Sequence, residues 1–300
     1  MLSGGLDSRL AVKIMQEQGF EPIALFFNLP FGAGCCSKEC SFNFTQKNNC
    51  KLEIFDCTKG KLLKDYLKVL KKPKHGTGKG VNPCIDCRIF ILKLAKEYAN
   101  KKGINLIVTG EVLGERPMSQ YKKAMSIIED ETKLNGRILR PLSALVLEET
   151  PAEKKGIVNR DKLYGIKGRQ RKEQISLAEK FKIKYPHPAG GCLLCEKGLK
   201  KRFSFLIKNN LINEKTLEIA QIGRHFLIDD SWFIVARDNP ESKIIEKYPK
   251  SNVLISKKGK PAVYFYSLNK KENIKVAKEL QEAFKTNPDE NQRKKFNKYK

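Results

Sequence analysis

Ser3-Gly4-Gly5-Leu6-Asp7-Ser8 stands directly before Arg9-Leu10-Ala11-Val12-Lys13-Ile14-Met15, where apolar residues recur at helical spacing. A glycine pair opening a helix lets the backbone come close to a phosphate chain. The free N–H groups of the first turn then favour negative charge. Ser3 and Ser8 add hydroxyl donors, and Gly4 and Gly5 shape the turn. Asp7 would be repelled by phosphate unless a cation lies between them, which assigns it to Mg²⁺ and to the reaction itself. The competing reading of the same residues is an ordinary glycine turn capped by Asp7 or Ser8.

Working outward, short apolar runs at 22–28, 51–56 and 105–109 read as buried strands. Helical stretches at 7–18, 59–70 and 85–102 separate them; in the last, Ile89, Leu92 and Ala95 fall on one face. Strand–helix alternation predicts an α/β fold, a parallel sheet with helices on both faces. Arg140-Pro141-Leu142 reads as a strand end leaving the sheet, 175–181 as a helix and 185–191 as a loop. Near residue 200 the pattern changes to strand–turn–strand, with strands at 224–228, 232–236, 252–255 and 262–266. Asp229-Asp230 and Lys258-Gly259 supply the turns. A helix follows at 272–284, then a polar tail that should fray. The expected organisation is a nucleotide domain over 1–200 and a small α+β domain over 201–300.

Lys+Arg total 59 against Asp+Glu 33, a formal net charge of +26. Such a surplus calls for a polyanion, nucleic acid above all, although lysine-rich composition alone can also produce it. Basic residues concentrate at 59–79 and 162–184, the second including Arg169, Arg171 and Lys172. Solvated helix faces are the plainer account of both. No apolar run approaches the ~18 residues a membrane span needs, and no secretory leader is legible, so the expected location is the cytoplasm with no membrane partner.

Nine cysteines in a reducing compartment argue against a disulfide framework. Cys84-Ile85-Asp86-Cys87 opens a helix, and Cys192-Leu193-Leu194-Cys195 follows a glycine-rich loop. Two such pairs allow a four-thiolate zinc site, a redox or persulfide pair, or an iron–sulfur cluster on three cysteines. Cys35, Cys36 and Cys40 could relay sulfur or be incidental thiols, while Cys50 and Cys57 read as small apolar fillers. His75 and His187 lie in loops beside the cysteine segments and read as structural.

Ser3 to Ser8 carries the Ser-Gly-Gly-x-Asp-Ser signature and resembles the PP-loop ATP pyrophosphatases. That resemblance implies an adenine nucleotide alpha hydrolase-like domain that splits ATP to adenylate a carbonyl oxygen, with Mg²⁺ as cofactor. It places the nucleotide at Ser3, Gly4, Gly5, Asp7, Ser8, Phe27, Thr109 and Gly110. Such domains carry an apolar strand just ahead of the loop, whereas Met1-Leu2 alone precede it in this sequence. Thr109-Gly110-Glu111-Val112-Leu113-Gly114 with Ser119-Gln120 resembles 4-thiouridine synthetase, and Asn82-Pro83-Cys84 resembles the tRNA 2-thiouridylases. These resemblances imply tRNA as acceptor and sulfur from a persulfide protein or sulfide. In cluster-bearing relatives Cys84, Cys87 and Cys192 would hold a [4Fe–4S] group, leaving Cys195 as a spare. In cluster-free ones Cys84 and Cys192 would be nucleophile and persulfide carrier.

Gly223-Arg224-His225-Phe226 and Trp232 to Asp238 resemble the RNA-binding domain of the NFACT group, which implies RNA contacts from Arg224, His225 and Arg237. The expected function is an AMP-forming tRNA sulfurtransferase. Its rivals are a PP-loop ligase using ammonia or an amine, and an RNA-binding protein with a decayed enzyme domain.

Overall fold

The computed structural model describes residues 1–32, 38–185, 191–268, 273–288 and 290–299. Cys35, Cys36 and His187 lie outside the described residues. The chain forms two compact units, Met1–Lys197 and Gly198–Lys300.

In the first unit, β1 (Ile23–Asn28) pairs in parallel with β2 (Lys51–Asp56), and β3 (Ile107–Val108) pairs in parallel with β4 (Ile138–Leu139). Two residues join these pairs: Leu2 N donates to Leu25 O at 2.8 Å, and the Met1 amine donates to Val108 O at 2.7 Å. Met1 and Leu2 therefore occupy the row between β1 and β3, and the phosphate loop leaves from that central position. Beside them lies an apolar cavity of about 580 Å³, lined in part by Met1, Val12, Leu25, Ala95, Ile107 and Val108.

Helices cover both faces. Leu6, Leu10, Ile14 and Met15 of α1 (Leu6–Gln16) bury against Leu139, Leu142, Val158 and Ile166 on one side. Leu177 and Ala178 of α7 (Lys172–Lys180) join that core. Fully burying each such side chain contributes about 1.5–3 kcal/mol. On the other side Ile85, Ile89, Leu92 and Ala95 of α4 (Cys84–Lys101) pack with Leu25, Ile107 and Ile138. Ala124 and Ile128 of α5 (Lys122–Thr132) complete this second core. Three more helices, α2 (Lys38–Lys47), α3 (Gly60–Lys71) and the short α6 (Pro151–Lys154), finish the unit. The parallel strands with helices on both faces are the fold the sequence pattern predicts. Three helices of this unit were not anticipated: α2, α5 and the short α6. The α2 sequence is polar and weakly amphipathic, and α5 carries three acids in its last turns with no capping side chain.

In the second unit α8 (Lys200–Lys208) precedes an antiparallel sheet of order β5-β6-β8-β7. Its strands are β5 (Arg224–Ile228), β6 (Ser231–Val235), β7 (Val253–Leu254) and β8 (Val263–Ser267), with α9 (Asn239–Ile245) after β6. Asp229 and Asp230 close the β5–β6 hairpin, both at positive φ (44° and 57°). That is the backbone a two-residue hairpin turn needs, and aspartate tolerates it. Phe226, Phe233, Val263 and Phe265 pack against Ala277 and Leu280 of α10 (Ile274–Ala283). The tail does not fray as expected: α11 (Glu290–Phe296) forms because Phe296 inserts into this core, 4% exposed.

Candidate functional site

The loop is wired from within. Ser8 Oγ donates to Gly5 O at 2.9 Å and accepts from Ser3 N at 3.2 Å. Gly4 sits at φ 82°, a conformation glycine takes without strain. A residue the motif reading missed holds the loop from behind. Buried Arg9 donates from Nε to Gly4 O at 2.8 Å, and from Nη2 to Cys40 Sγ at 2.8 Å, with its guanidinium over the Phe44 ring. Cys40 is thus part of the loop's support.

Gly110 follows β3 and presses on the loop: a Cβ there would sit 2.5 Å from Asp7 C and Ser8 N. Gly110→Ala is expected to push the loop out of register, at a cost of about 1–3 kcal/mol. Calorimetric titration with ATP should show affinity down about tenfold. Gly198→Ala, where nothing lies within 4 Å, serves as the neutral control.

The remaining nucleotide candidates divide. Phe27 lies in β1 stacked on Phe55, with centroids 4.7 Å apart. Thr109 is fully buried and its hydroxyl is committed to Glu111 Oε2 at 3.1 Å, so it supports the site from inside. Glu111, 1% exposed, receives Arg88 Nε at 2.8 Å and Arg140 Nε at 3.0 Å. Arg140 also reaches Glu129 at 2.6 Å. Burial pushes the Glu111 carboxyl up, but Arg88 and Arg140 outweigh it and hold it at about 2. Sequence reading saw Glu111 only as part of a motif, because its partners come from α4 and the end of β4.

The two cysteine pairs come together. Val81 N donates to Leu194 O at 2.9 Å, and a Cβ on Gly80 would overlap Leu194 O, so the segment before α4 lies flat on the 192–195 turn. Cys84 begins α4, with the Cys195 thiol beside it. Buried Asn82 donates Nδ2 to Cys84 Sγ at 3.0 Å. The Cys195 thiol lowers Cys84 most; burial opposes it, and Asn82, Arg116 and Arg88 add to the lowering, leaving Cys84 at about 6. A thiolate at a helix N-terminus is also favoured by the helix dipole. Its neighbours stay protonated. Burial raises Cys192 to about 12 and Cys87 to about 11, and the neighbouring Cys84 raises Cys195 far above the usual thiol value.

Cys195, expected as a spare, lies beside Cys84. The predicted trio Cys84, Cys87 and Cys192 is within mutual electrostatic range. Even so, among the described residues no three His, Cys, Asp or Glu side chains are placed to hold one metal ion. Cys87 turns instead toward Tyr66 Oη, 3.8 Å away. As placed, Cys84 and Cys195 are the two thiols that interact most strongly.

Arg116 is exposed, and its charge favours the ionised forms of Asp7, Glu115, Cys84 and Cys195. The geometric link between loop and cysteines is indirect: Arg88, one turn into the helix that begins at Cys84, bonds Glu111, next to the Gly110 that packs on Asp7 and Ser8. His75 is half-buried and bonded to Glu131 at 3.1 Å, a structural role.

The basic residues expected to meet RNA separate as well. Arg169 and Lys172 are exposed. Arg171 turns inward, Nη2 3.4 Å from Asp7 Oδ2. In the second unit His225 is a core residue: it is 7% exposed, one ring nitrogen meets Ile222 O at 2.7 Å, and the other accepts from Trp232 Nε1 at 2.9 Å. No ring nitrogen is left for RNA, and burial holds the ring neutral. Arg224 lies over the Phe284 ring with Arg293 over the same ring, and Arg237 pairs with Glu241. Arg202, Arg237 and Arg293 are near enough to depress one another or Arg224. That makes a guanidinium cluster of which the sequence reading found half.

A parallel α/β sheet with a Ser-Gly-Gly-x-Asp-Ser turn at its centre defines a PP-loop nucleotide domain. The chain belongs to the family described as thiamine biosynthesis protein (ThiI), whose pattern matches residues 1–161. It is similar to a 7-cyano-7-deazaguanine synthase of Sulfurovum sp., 32% identical over 165 residues, 48% of this chain and 72% of that protein. It is also similar to a probable tRNA sulfurtransferase of Halothermothrix orenii, 29% identical over 48% of this chain and 35% of that protein. A bifunctional protein NifU/MnmA of Rubrobacter xylanophilus is 25% identical over 50% of this chain and 31% of its own length. The chain thus spans about a third of the latter two relatives. Among the described residues no helix is long and apolar enough to cross a membrane.

Proposed function

We propose that this protein is an ATP-dependent, AMP-forming tRNA sulfurtransferase of the cytoplasm. The observation that supports the reading is the Arg88–Glu111 ion pair, which ties the helix beginning at Cys84 to the segment whose Gly110 packs on Asp7 and Ser8. Residues 3–8, Gly110 and Phe27 would hold ATP, and Asp7 would hold Mg²⁺, which supplies charge neutralisation on the phosphates. A uridine carbonyl oxygen attacks the α-phosphorus; the O–P bond forms, the bond to the β-phosphate oxygen breaks, and pyrophosphate leaves.

Cys84, already a thiolate near neutral pH, takes a sulfur atom from a protein persulfide. The resulting persulfide attacks the activated carbon and AMP leaves. Cys195 then loses its proton to solvent and attacks Cys84 Sγ. A Cys84–Cys195 disulfide forms as the C=S base is released, and an external dithiol reduces it. No step runs through an iron–sulfur cluster. The acceptor RNA would meet Arg169 and Lys172 in the first unit. In the second, which resembles the NFACT RNA-binding domain, it would meet Arg224 and Arg237; such contacts would weaken with salt.

The test is nucleoside mass spectrometry of tRNA from a deletion strain. One thionucleoside should vanish and return with the wild-type gene; an unchanged set overturns the proposal. A second reading, a ligase using ammonia or an amine, is favoured by the relative covered most fully, named for a cyano product. It requires product formation to survive Cys84→Ser.

A further inference from the structure

Three buried polar atoms around one guanidinium lack hydrogen-bond partners: Asp7 Oδ1, Glu115 Oε2 and Arg171 Nε. Arg171 Nη2 is 3.4 Å from Asp7 Oδ2, and its Nε is 3.7 Å from Glu115 Oε1. The Glu115 side chain is only 10% exposed. An unsatisfied buried polar group is costly, so this cluster is poorly served by the arginine that bridges it. Burial raises both carboxyls, and the nearby Asp7 charge raises Glu115 further. An oxygen-seeking divalent cation matches what is missing: one or two carboxylates complete its shell together with phosphate oxygens.

We infer that Glu115 is the second carboxylate of the cation site at Asp7, and that Arg171 is a counter-ion holding the two together until the cation displaces it. The released guanidinium, with Arg116 beside it, then faces the phosphate chain, where bidentate recognition suits it. This reassigns Arg171 from RNA contact to the nucleotide site. It rests on the nucleotide half of the proposed function and not on the sulfur half.

The test is Mn²⁺ binding to the full chain, followed by electron paramagnetic resonance without nucleotide and with a non-hydrolysable ATP analogue. Arg171→Met should tighten nucleotide-free Mn²⁺ binding about tenfold, since the competing charge is gone. Glu115→Gln should weaken it about tenfold in both conditions, and Arg171→Lys should stay near wild type. In EDTA Arg171→Met should melt lower than wild type, and Mn²⁺ should restore it by more than it raises wild type. Unchanged or weaker Mn²⁺ binding in Arg171→Met, wild-type binding in Glu115→Gln, or a melting loss that Mn²⁺ does not repair overturns the inference. Normal Mn²⁺ titrations with no thionucleoside lost from the deletion strain would sink the sulfur reading alone.

Discussion

Cys84→Ser is expected to abolish thionucleoside formation, by a factor on the order of 10³ or more, while ATP- and RNA-dependent pyrophosphate release continues. Serine keeps the size and the hydrogen bond to Asn82 but is neither a thiolate nor a sulfur carrier. Adenylation needs residues 3–8 and the cation, so it should survive. The pH dependence has a definite sign. Cys84 is held at about 6, below the ordinary thiol value of 9.0, so its thiolate is present above pH 6 and lost below it. Iodoacetamide alkylation of Cys84, read by peptide mass spectrometry, should rise through pH 6 and be level by pH 8. Cys87 and Cys192, raised to about 11 and about 12, should stay unlabelled across that range. Cys195→Ala removes the thiol that lowers Cys84 most and should move its labelling profile to higher pH. Equal labelling of all four cysteines, or product formation by Cys84→Ser, would remove the basis for the sulfur chemistry.

Glu111→Gln should carry the largest stability loss, about 3–5 kcal/mol by urea unfolding, because Arg88 would lose its carboxylate partner and buried Arg140 would keep only Glu129. Arg140 is 5% exposed at its side chain and cannot turn to solvent. For a carboxyl held at about 2 against an ordinary 4.5, the stabilisation is fully present above pH 4.5. It is lost as pH falls through about 2. Wild type should therefore lose about 3 kcal/mol from this group between pH 5 and pH 2, a component that Glu111→Gln lacks. The consequence for function is specific. Glu111 ties the Thr109–Gly110 segment that braces the loop to Arg88 on α4, the helix that begins at Cys84. The variant should lose ATP affinity and Cys84 reactivity together. Loss of one alone would show that the two halves are braced separately.

The local chemistry of this chain was legible in its residues. Glycine turns, helical and strand periodicity and the Asp229-Asp230 hairpin depend on neighbours within a few positions, and those readings carried the parallel sheet with two-sided helix cover and the antiparallel second unit. The loop's dependence on Arg9 and the pairing of Cys84 with Cys195 were not legible. The same holds for the inward turn of Arg171 and the burial of His225 against Trp232. Each of these is a contact between segments far apart in the chain, and a motif names its members without saying which of several equivalent side chains will meet. Sequence alone determined that a phosphate-binding turn and paired cysteines exist. Only the tertiary structure decided how they are linked, because the packing of α4 against the sheet brings Arg88, one turn after Cys84, onto Glu111 in the segment that follows β3.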